Sequence, residues 1–488
     1  MLRRQGMDSD VIVVGAGPVG LLLAAELHLA GARAVILERR DTPSQDTRAR
    51  GIGVLATEAL TRRGLGPQLA DVHRRGTQDL ARDHGSTLGH FANIHKLVPD
   101  PERHGTNIWQ PELERLLTEH ALQLGVRILH GHDVVGIEPD ADGVTVRTAD
   151  GELRAPYVVG CDGGRSTVRT LAGFGFPGSP ALLRTIAART RFVGDVPPSG
   201  RYAAGTFLHR GDMAGVIEPA AAAADGPVTR AELAAAIRRV TGADVVVDDL
   251  HDARRFSDHA GQADTYRRGR VLLAGDAAHV HSPSGGQGLN LGLLDATNLG
   301  WKLAAVVRGD APEGLLDTYT RERHPAGAAV LRNAMAQSAL LAPGVHVDAL
   351  REIIAELMDI PAANRYFTEL LSAVNLRYDL PYPAEDPAGR YCADLELVDD
   401  GGAVSRLHEH ALSGHWLLLL TPPMRALAAC ATELVDVIPV TNTDPLLIRP
   451  DGVVAWARGD RASLGTALSW WRSEVGTHFP ASRVTMGH

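Results

Sequence analysis

The chain has 488 residues, 44% hydrophobic and 22% charged, enough for roughly three domains of about 150 residues and a large core. Its 49 Lys and Arg against 58 Asp and Glu give a net charge of −9 with no long basic block, which excludes a nucleic-acid or anionic-membrane binder. The three cysteines, Cys161, Cys392 and Cys430, are isolated, which excludes a disulfide scaffold, a Cys-rich metal site and a Cys-x-x-Cys redox pair.

No apolar run approaches the roughly 20 residues that cross a bilayer, and the opening Met1–Met7 is too short for a signal peptide. A cytoplasmic protein is expected. Val11–Val14 is a β-branched run typical of a strand buried on both faces. Gly15-Ala16-Gly17-Pro18-Val19-Gly20 then leads into a helix predicted from Leu21 to Ala30, with Gly31 as its C-cap. A second strand, Ala34–Leu37, ends in Glu38. Strand, G-x-G-x-x-G, helix, strand and acid in register predict dinucleotide binding. Gly15 permits the tight turn, Gly17 lets backbone N–H groups approach a pyrophosphate, and Gly20 lets helix and strand pack closely. The helix N-terminus favours the phosphates, and Glu38 can accept from ribose hydroxyls.

Arg48-Ala49-Arg50-Gly51-Ile52-Gly53 precedes a helix predicted near Thr57–Arg63. An arginine there is either a solvated loop residue or one reaching a phosphate or ring system. Gln110, just before Pro111 and a helix to Leu124, is either a cap or a ligand contact. Strands are predicted near Val126–Leu129, Val134–Glu138 and Val144–Thr148. Tyr157–Gly160 leads into Cys161-Asp162-Gly163-Gly164-Arg165-Ser166-Thr167-Val168-Arg169, and Val271–Ala274 into Gly275-Asp276-Ala277-Ala278-His279. Ser282 to Asn290 is a Gly-rich loop before a long helix, a second anion site at a helix N-terminus. Each Asp ends an apolar strand, where open α/β sheets bind ligands. His279 and His281 read as a packed, hydrogen-bonded pair rather than metal ligands.

The segments Gly15–Gly20, Asp162–Arg169 and Gly275–His279 resemble the three fingerprints of the single-component FAD-dependent aromatic hydroxylases. The run from Asp276 through Asn290 and Asn298–Ala304, with Tyr319–Pro325, is similar to their polyketide-tailoring branch: angucycline and anthracycline hydroxylases and rifamycin monooxygenases. The resemblance runs from end to end. It implies an α/β fold with a Rossmann-like (GR2-type) FAD-binding domain, an inserted mixed β-sheet substrate domain and a C-terminal thioredoxin-like domain. The divisions it implies are 1–172 and 267–385 for FAD binding, 173–266 for the sheet roofing the substrate pocket, and 386–488 for the C-terminal domain. Residues near 75–110 join the pocket.

By the same resemblance Glu38 takes the adenosine ribose, Arg48 and Gln110 contact FAD, and Val134 gives a backbone contact to adenine. Asp162 lies near the NADPH-facing side and Asp276 takes the ribityl chain, whose hydroxyls would supply the donors a buried carboxylate needs. Pro283, Gly286, Gly288, Leu289 and Asn290 lie along the isoalloxazine, and Pro18 and Arg39 belong with the glycine turn and Glu38. FAD is non-covalent. NADPH or NADH, with no second dinucleotide fingerprint, is a transient cosubstrate. The reaction implied is hydroxylation of a polycyclic aromatic polyketide or related phenol through a C4a-hydroperoxyflavin, with no side chain evident as a catalytic base. Baeyer–Villiger oxygenation on the same fold, or a flavin scaffold that sequesters an aromatic antibiotic, are the rivals. The partners are a small aromatic substrate and O₂, in a monomer or homodimer without metal.

In the middle, strands are predicted near Leu183–Phe192 and Ala203–Glu218, then an Ala-rich linker over Ala220–Pro227. A capping box follows at Thr229–Glu232, and then the run Val245–Val247. A helical stretch from Pro325 to about Leu380 and a Pro-rich linker, Pro381–Pro387, follow. The C-terminal strands are Trp416–Leu420, Val435–Val440, Pro445–Arg449 and Val453–Ala457.

Overall fold

A computed structural model describes residues 9–44, 49–83, 90–220 and 226–472. Its central sheet has six strands in the order Arg267–Arg268, Val271–Leu273, Tyr157–Gly160, Val11–Val14, Ala34–Glu38 and Arg127–His130. All are parallel except the two-residue edge strand. Val11, Ile12 and Val13 are wholly buried, as a run without alternation requires. The helix Pro18–Leu29 starts three residues earlier than predicted, because Pro18, with its fixed φ and no N–H, suits a first helical position. It packs against the long helix Gln287–Arg308 and the helix Gln110–Gln123.

The predicted helix near Thr57 begins at Val54 and, after a wide turn over Thr61–Leu65, continues as Gly66–Asp83. Val134–Pro139, Val144–Thr148 and Gly151–Ala155 form a separate antiparallel sheet.

A five-stranded antiparallel sheet runs in the order Gly200–Tyr202, Gly205–Arg210, Met213–Pro219, Leu183–Val193 and Val246–Ser257. The single strand expected over Ala203–Glu218 is thus a hairpin, turned at Gly211 (φ +58°), and Val245–Val247 opens a twelve-residue strand. Thr229 caps the helix Arg230–Thr241 by accepting from the Glu232 N–H. The reciprocal half of the capping box is missing: Glu232 pairs with Arg255 at 2.6 Å instead. Of the Ala-rich linker, residues 221–225 lie outside the described residues.

The predicted helical stretch begins at Asp317 and resolves into Asp317–Leu341, Val345–Leu357 and Pro361–Ser372, with Pro325 inside the first. Toward the C-terminus a mixed sheet runs Val435–Pro439, Trp416–Leu420, Leu446–Ile448 and Val454–Ala457, the first pair parallel and the rest antiparallel. Trp301 of the long helix packs edge-on to Trp416 and Trp471, which joins this sheet to the rest.

Beside that contact, Glu322 accepts from Arg449 Nη1 (2.9 Å), Arg449 Nη2 (2.8 Å), Lys302 Nζ (2.8 Å) and Asn298 Nδ2 (2.6 Å). Asp451 completes a buried, neutral four-charge cluster through Arg449. Burial lowers the Lys302 pKa to about 8 even with Glu322 opposing it.

Candidate functional site

The glycine turn divides into packing and open positions. Gly15 has φ +106°, and a Cβ there would lie 2.5 Å from the Cys161 carbonyl oxygen. At Gly20 it would lie 2.0 Å from the Gly15 carbonyl oxygen. At Gly17 it would meet nothing within 4 Å, and Gly17 faces a cavity. The helix behind it has no side-chain cap, so its first N–H groups are left for a ligand.

The cavity measures about 1800 Å³. Gly15, Gly17, Pro18, Glu38, Arg39, Gln110, Val134, Asp162, Asp276, Pro283, Gly286, Gly288, Leu289 and Asn290 all line it. Gly20 is set behind the turn, and Arg48 lies outside the described residues. Sites spread over most of the chain therefore meet on one wall.

Glu38 accepts from the Ala16 N–H (2.8 Å) and the Arg40 N–H (3.0 Å), so it ties the turn to the second strand. A carboxylate has about four acceptor positions, which leaves capacity for hydroxyl donors. The His132 N–H donates to the Glu38 carbonyl oxygen (2.9 Å) and brings the buried Val134 close by. Gln110 donates to Glu114 (2.8 Å), and its own N–H holds the Ala49 carbonyl oxygen. Asp162 faces inward: it accepts from the Ser166 hydroxyl (2.5 Å) and the Val168 N–H (3.0 Å), capping a short helix.

Asp276 corrects its expectation. Its side chain is exposed toward the cavity rather than buried at a strand end, and it does not cap the turn Gly275–Ala277. That turn is held from beneath. Asp295 accepts from the Gly275 N–H (3.1 Å), His279 Nε2 (2.6 Å) and Arg323 Nε (2.7 Å), all buried. His279 is thus packed and hydrogen-bonded. His281 Nδ1 donates to the Ser282 carbonyl oxygen (2.7 Å), which leaves Nε2 a buried acceptor without a partner among the described residues. Burial holds its pKa below the usual imidazole value.

The helix Gln287–Arg308 also starts without a side-chain cap, behind Gly286 at φ +63°, where a Cβ would meet nothing. Asn290 accepts from the Gly53 N–H (2.6 Å) and donates to the Gly286 carbonyl oxygen (2.9 Å), which fixes the loop. Two open glycine cradles, two uncapped helix N-termini and an unpartnered nitrogen suit a ligand with a pyrophosphate and a polar planar ring. FAD fits these residues.

The remaining wall combines the segment near 75–110, expected to join the pocket by resemblance, with a helix that no sequence signal marked as part of it. His90, Lys96–Asp100, Met358, Asn364, Thr368 and Leu371 line it, from a loop and from the helix Pro361–Ser372. Of residues 173–266, Phe256 alone lines the cavity among the described residues, so the inserted sheet is not its main roof. The loop and helix are clasped: Lys96 pairs with Asp359 (2.6 Å), and Asn364 accepts from the Val98 N–H (3.0 Å) and donates to the Lys96 carbonyl oxygen (2.7 Å). Gln287, the first residue of the helix Gln287–Arg308, donates to the Leu370 carbonyl oxygen (3.0 Å), which couples this wall to the Gly-rich loop.

Residues 8–334 match the FAD binding domain family, and residues 385–474 the C-terminal domain of aromatic-ring hydroxylases. The chain is 40% identical over 483 residues to a rifampicin monooxygenase of Streptomyces venezuelae, covering 95% of this chain and 98% of the relative. Among solved structures it resembles the anhydrotetracycline hydroxylase OxyS of Streptomyces rimosus, with a TM-score of 0.85 and 37% identity over 95% of this chain and 99% of that one. It also resembles CabE, an aromatic hydroxylase from angucycline biosynthesis, with a TM-score of 0.82 and 35% identity over 95% and 99%.

Proposed function

The chain belongs to the FAD-dependent aromatic-ring hydroxylases, and from that membership we propose that its substrate is a polycyclic aromatic polyketide or related phenolic natural product. It is an FAD-dependent aromatic monooxygenase of the polyketide-tailoring kind. The size of the cavity carries the substrate reading. Pockets for one small ligand run to roughly 300–1,000 Å³, and about 1800 Å³ leaves room for a multi-ring substrate beside the cofactor.

In this reading Gly17, Pro18 and the helix behind them hold the pyrophosphate, with Arg39 and Gln110 nearby. Glu38 accepts from the ribose, Val134 meets the adenine, and Asp276, its carboxylate free, accepts from ribityl hydroxyls. Pro283 and Gly286–Asn290 flank the ring, and the uncapped N–H groups at Gly288 to Asn290 favour negative charge at its carbonyl edge. Bound FAD supplies what no side chain here can, taking a hydride from NADPH or NADH and activating O₂. The protein orients the aromatic ring and excludes water, with the Lys96–Asp359 and Asn364 clasp holding the far wall shut. We read 1–172 with 267–385 as the FAD-binding unit, 173–266 as the inserted sheet and 386–488 as the C-terminal unit, acting in the cytoplasm as a monomer or homodimer.

The test is turnover with a panel of rifampicin, anhydrotetracycline and angucyclines. Purified protein should be yellow, release FAD on denaturation and oxidise NAD(P)H with O₂ uptake, and its product should be one oxygen atom heavier. A colourless protein that FAD does not reconstitute refutes the reading, and FAD-bound protein that binds the panel without turnover marks a sequestering scaffold. A lactone product would mark ring expansion rather than hydroxylation.

A further inference from the structure

We propose that His90 is a specificity-determining residue for the aromatic substrate: its imidazole accepts a hydrogen bond from a phenolic hydroxyl and so sets which edge of the substrate meets the ring site. The inference rests on the function proposed above. His90 lines the cavity on the far wall. Its Nδ1 is buried and meets no partner among the described residues. An N–H at that atom would be a stranded donor, so Nδ1 carries a lone pair and the proton sits on Nε2. Burial holds its pKa below the usual imidazole value, with His95 adding to the effect from 4.9 Å, ring centre to ring centre. The ring is therefore neutral at pH 7. A neutral imidazole with an unused lone pair is completed by a group that donates to it, and a phenolic hydroxyl does so.

The backbone around His90 is held in an unfavourable shape. Phe91 and Ile94 exchange both backbone hydrogen bonds (3.1 and 2.8 Å) around a turn in which Ala92 has φ +49° and Asn93 φ +60°. Glycine or asparagine suits such a turn, and the Cβ of Ala92 does not. Two long side chains impose it. Gln337 accepts from the Ala92 N–H (3.1 Å), and Arg351 donates to the Ala92 carbonyl oxygen (2.7 Å). Gln337 also reaches the Gly-rich loop, where a Cβ at Gly285 would lie 2.6 Å from its Nε2. Phe91 meets Phe367 of the helix Pro361–Ser372, with ring centres 4.9 Å apart. The turn is thus registered against the ring site on one side and the far-wall helix on the other, and His90 with it.

The cofactor has acceptors of its own in this reading, at Glu38 and Asp276, so the donor for His90 belongs to the substrate. Polar neighbours on the far wall are spent on one another: Lys96 on Asp359, and Arg351 on the carbonyls of Ala92 and Leu340. Arg365 and Glu369 stand on the helix Pro361–Ser372 and His281 on the Gly-rich loop. Of the charged groups around it, His95 is the one that perturbs His90.

The experiment measures the affinity of FAD-loaded protein for 2-hydroxyanthraquinone and for its methyl ether, by perturbation of the flavin spectrum. Wild type should bind the hydroxyl compound about tenfold more tightly. His90→Phe keeps a ring but no acceptor and should bind the two alike, and His90→Asn, whose amide oxygen reaches the Nδ1 position, should recover part of the preference. FAD affinity and melting temperature should match wild type in both variants. On wild type the preference should fade as the pH falls below about 6.5, because a protonated ring has no lone pair, while the affinity for the ether stays level. That measurement needs no variant to fold. Equal affinity of wild type for the two compounds, a preference that survives His90→Phe or low pH, or a loss of FAD affinity in step with it each overturns the proposal and leaves the monooxygenase reading standing. FAD-loaded wild type that binds neither compound overturns it as well, and if it also turns over none of the aromatic panel, the substrate reading falls with it.

Discussion

Replacing Glu322 by Gln should uncouple the C-terminal unit from the rest of the molecule. Glu322 accepts four hydrogen bonds, three of them from the cations Lys302 and Arg449. With Asp451 the four charges cancel, and Gln leaves one uncompensated positive charge where Lys302, Arg449 and Asp451 are at most 1% exposed. Removing one partner of a buried ion pair costs about 3–5 kcal/mol, a large part of the roughly 5–15 kcal/mol that holds a domain folded. The loss should fall on the joint, because Arg449 and Asp451 come from the turn between the C-terminal strands Leu446–Ile448 and Val454–Ala457, and Lys302 and Glu322 from the long helices. Calorimetry should therefore show a separate transition at lower temperature. The variant should also become more steeply pH-dependent than the wild type, and from a lower pH. Lys302 is already lowered to about 8 with Glu322 present, and without it falls further below its unfolded value of about 10.4. Between those two values the unfolded chain binds more protons, so variant stability should rise with pH from neutrality toward about 10. Adding Lys302→Met restores neutrality and should recover part of the loss. A single transition at the wild-type temperature at pH 7 would refute the account of the joint.

Gly17→Ala should leave the apoprotein folded, by circular dichroism, but strip the flavin absorbance, because its methyl occupies only the open cradle. Gly20→Ala should lower apoprotein stability by about 1–3 kcal/mol or more through overpacking against the Gly15 carbonyl, and equal behaviour of the two variants would contradict this division. Asp276→Ala should weaken FAD binding about tenfold or more in a fluorescence titration, with the apoprotein melting as wild type does. Melting lower while binding FAD normally would remove Asp276 from the cofactor site. Glu38→Ala should lower both, by about 1.5–3 kcal/mol in FAD binding and by a smaller amount in apoprotein melting, since the Ala16 and Arg40 N–H groups lose their acceptor. An unchanged FAD dissociation constant would show that the ribose lies elsewhere.

The FAD-binding fold was legible because its signals are local. Val11–Val14 carries no alternation, and a strand buried on both faces can show none. Pro18 extends the first helix by a rule of single-residue chemistry that the glycine pattern obscured. The inserted sheet was harder to read. The turn at Gly211 breaks an otherwise continuous β-rich run, and Val246–Ser257 contains Asp248, Asp249 and Asp252, which depress strand propensity until Leu183–Val193 pairs with it. Of the far wall of the cavity, the segment near 75–110 was expected only through the resemblance, and the part played by the helix Pro361–Ser372 left no trace at all. Asn364 looks like any polar residue of an amphipathic helix, and only tertiary packing turns its amide onto Val98 and Lys96.

Within the fingerprints, sequence shows which residue types are required but not what they face. Asp162 and Asp276 both follow apolar strands, in sequence contexts that look alike. In the fold Asp162 turns back on its own loop and caps it, while Asp276 stands clear, because Asp295 already holds the turn beneath it and leaves that carboxylate no structural task. Gly17 and Gly20 divide in the same way, one open and one closed by the Gly15 carbonyl. Asn290 shows a third outcome. Both ends of its amide are bound within the protein, so its side chain shapes the loop, and what it offers a ligand is its backbone. The residues free to meet the cofactor are those whose structural work a neighbour has taken over, and that assignment exists only in three dimensions.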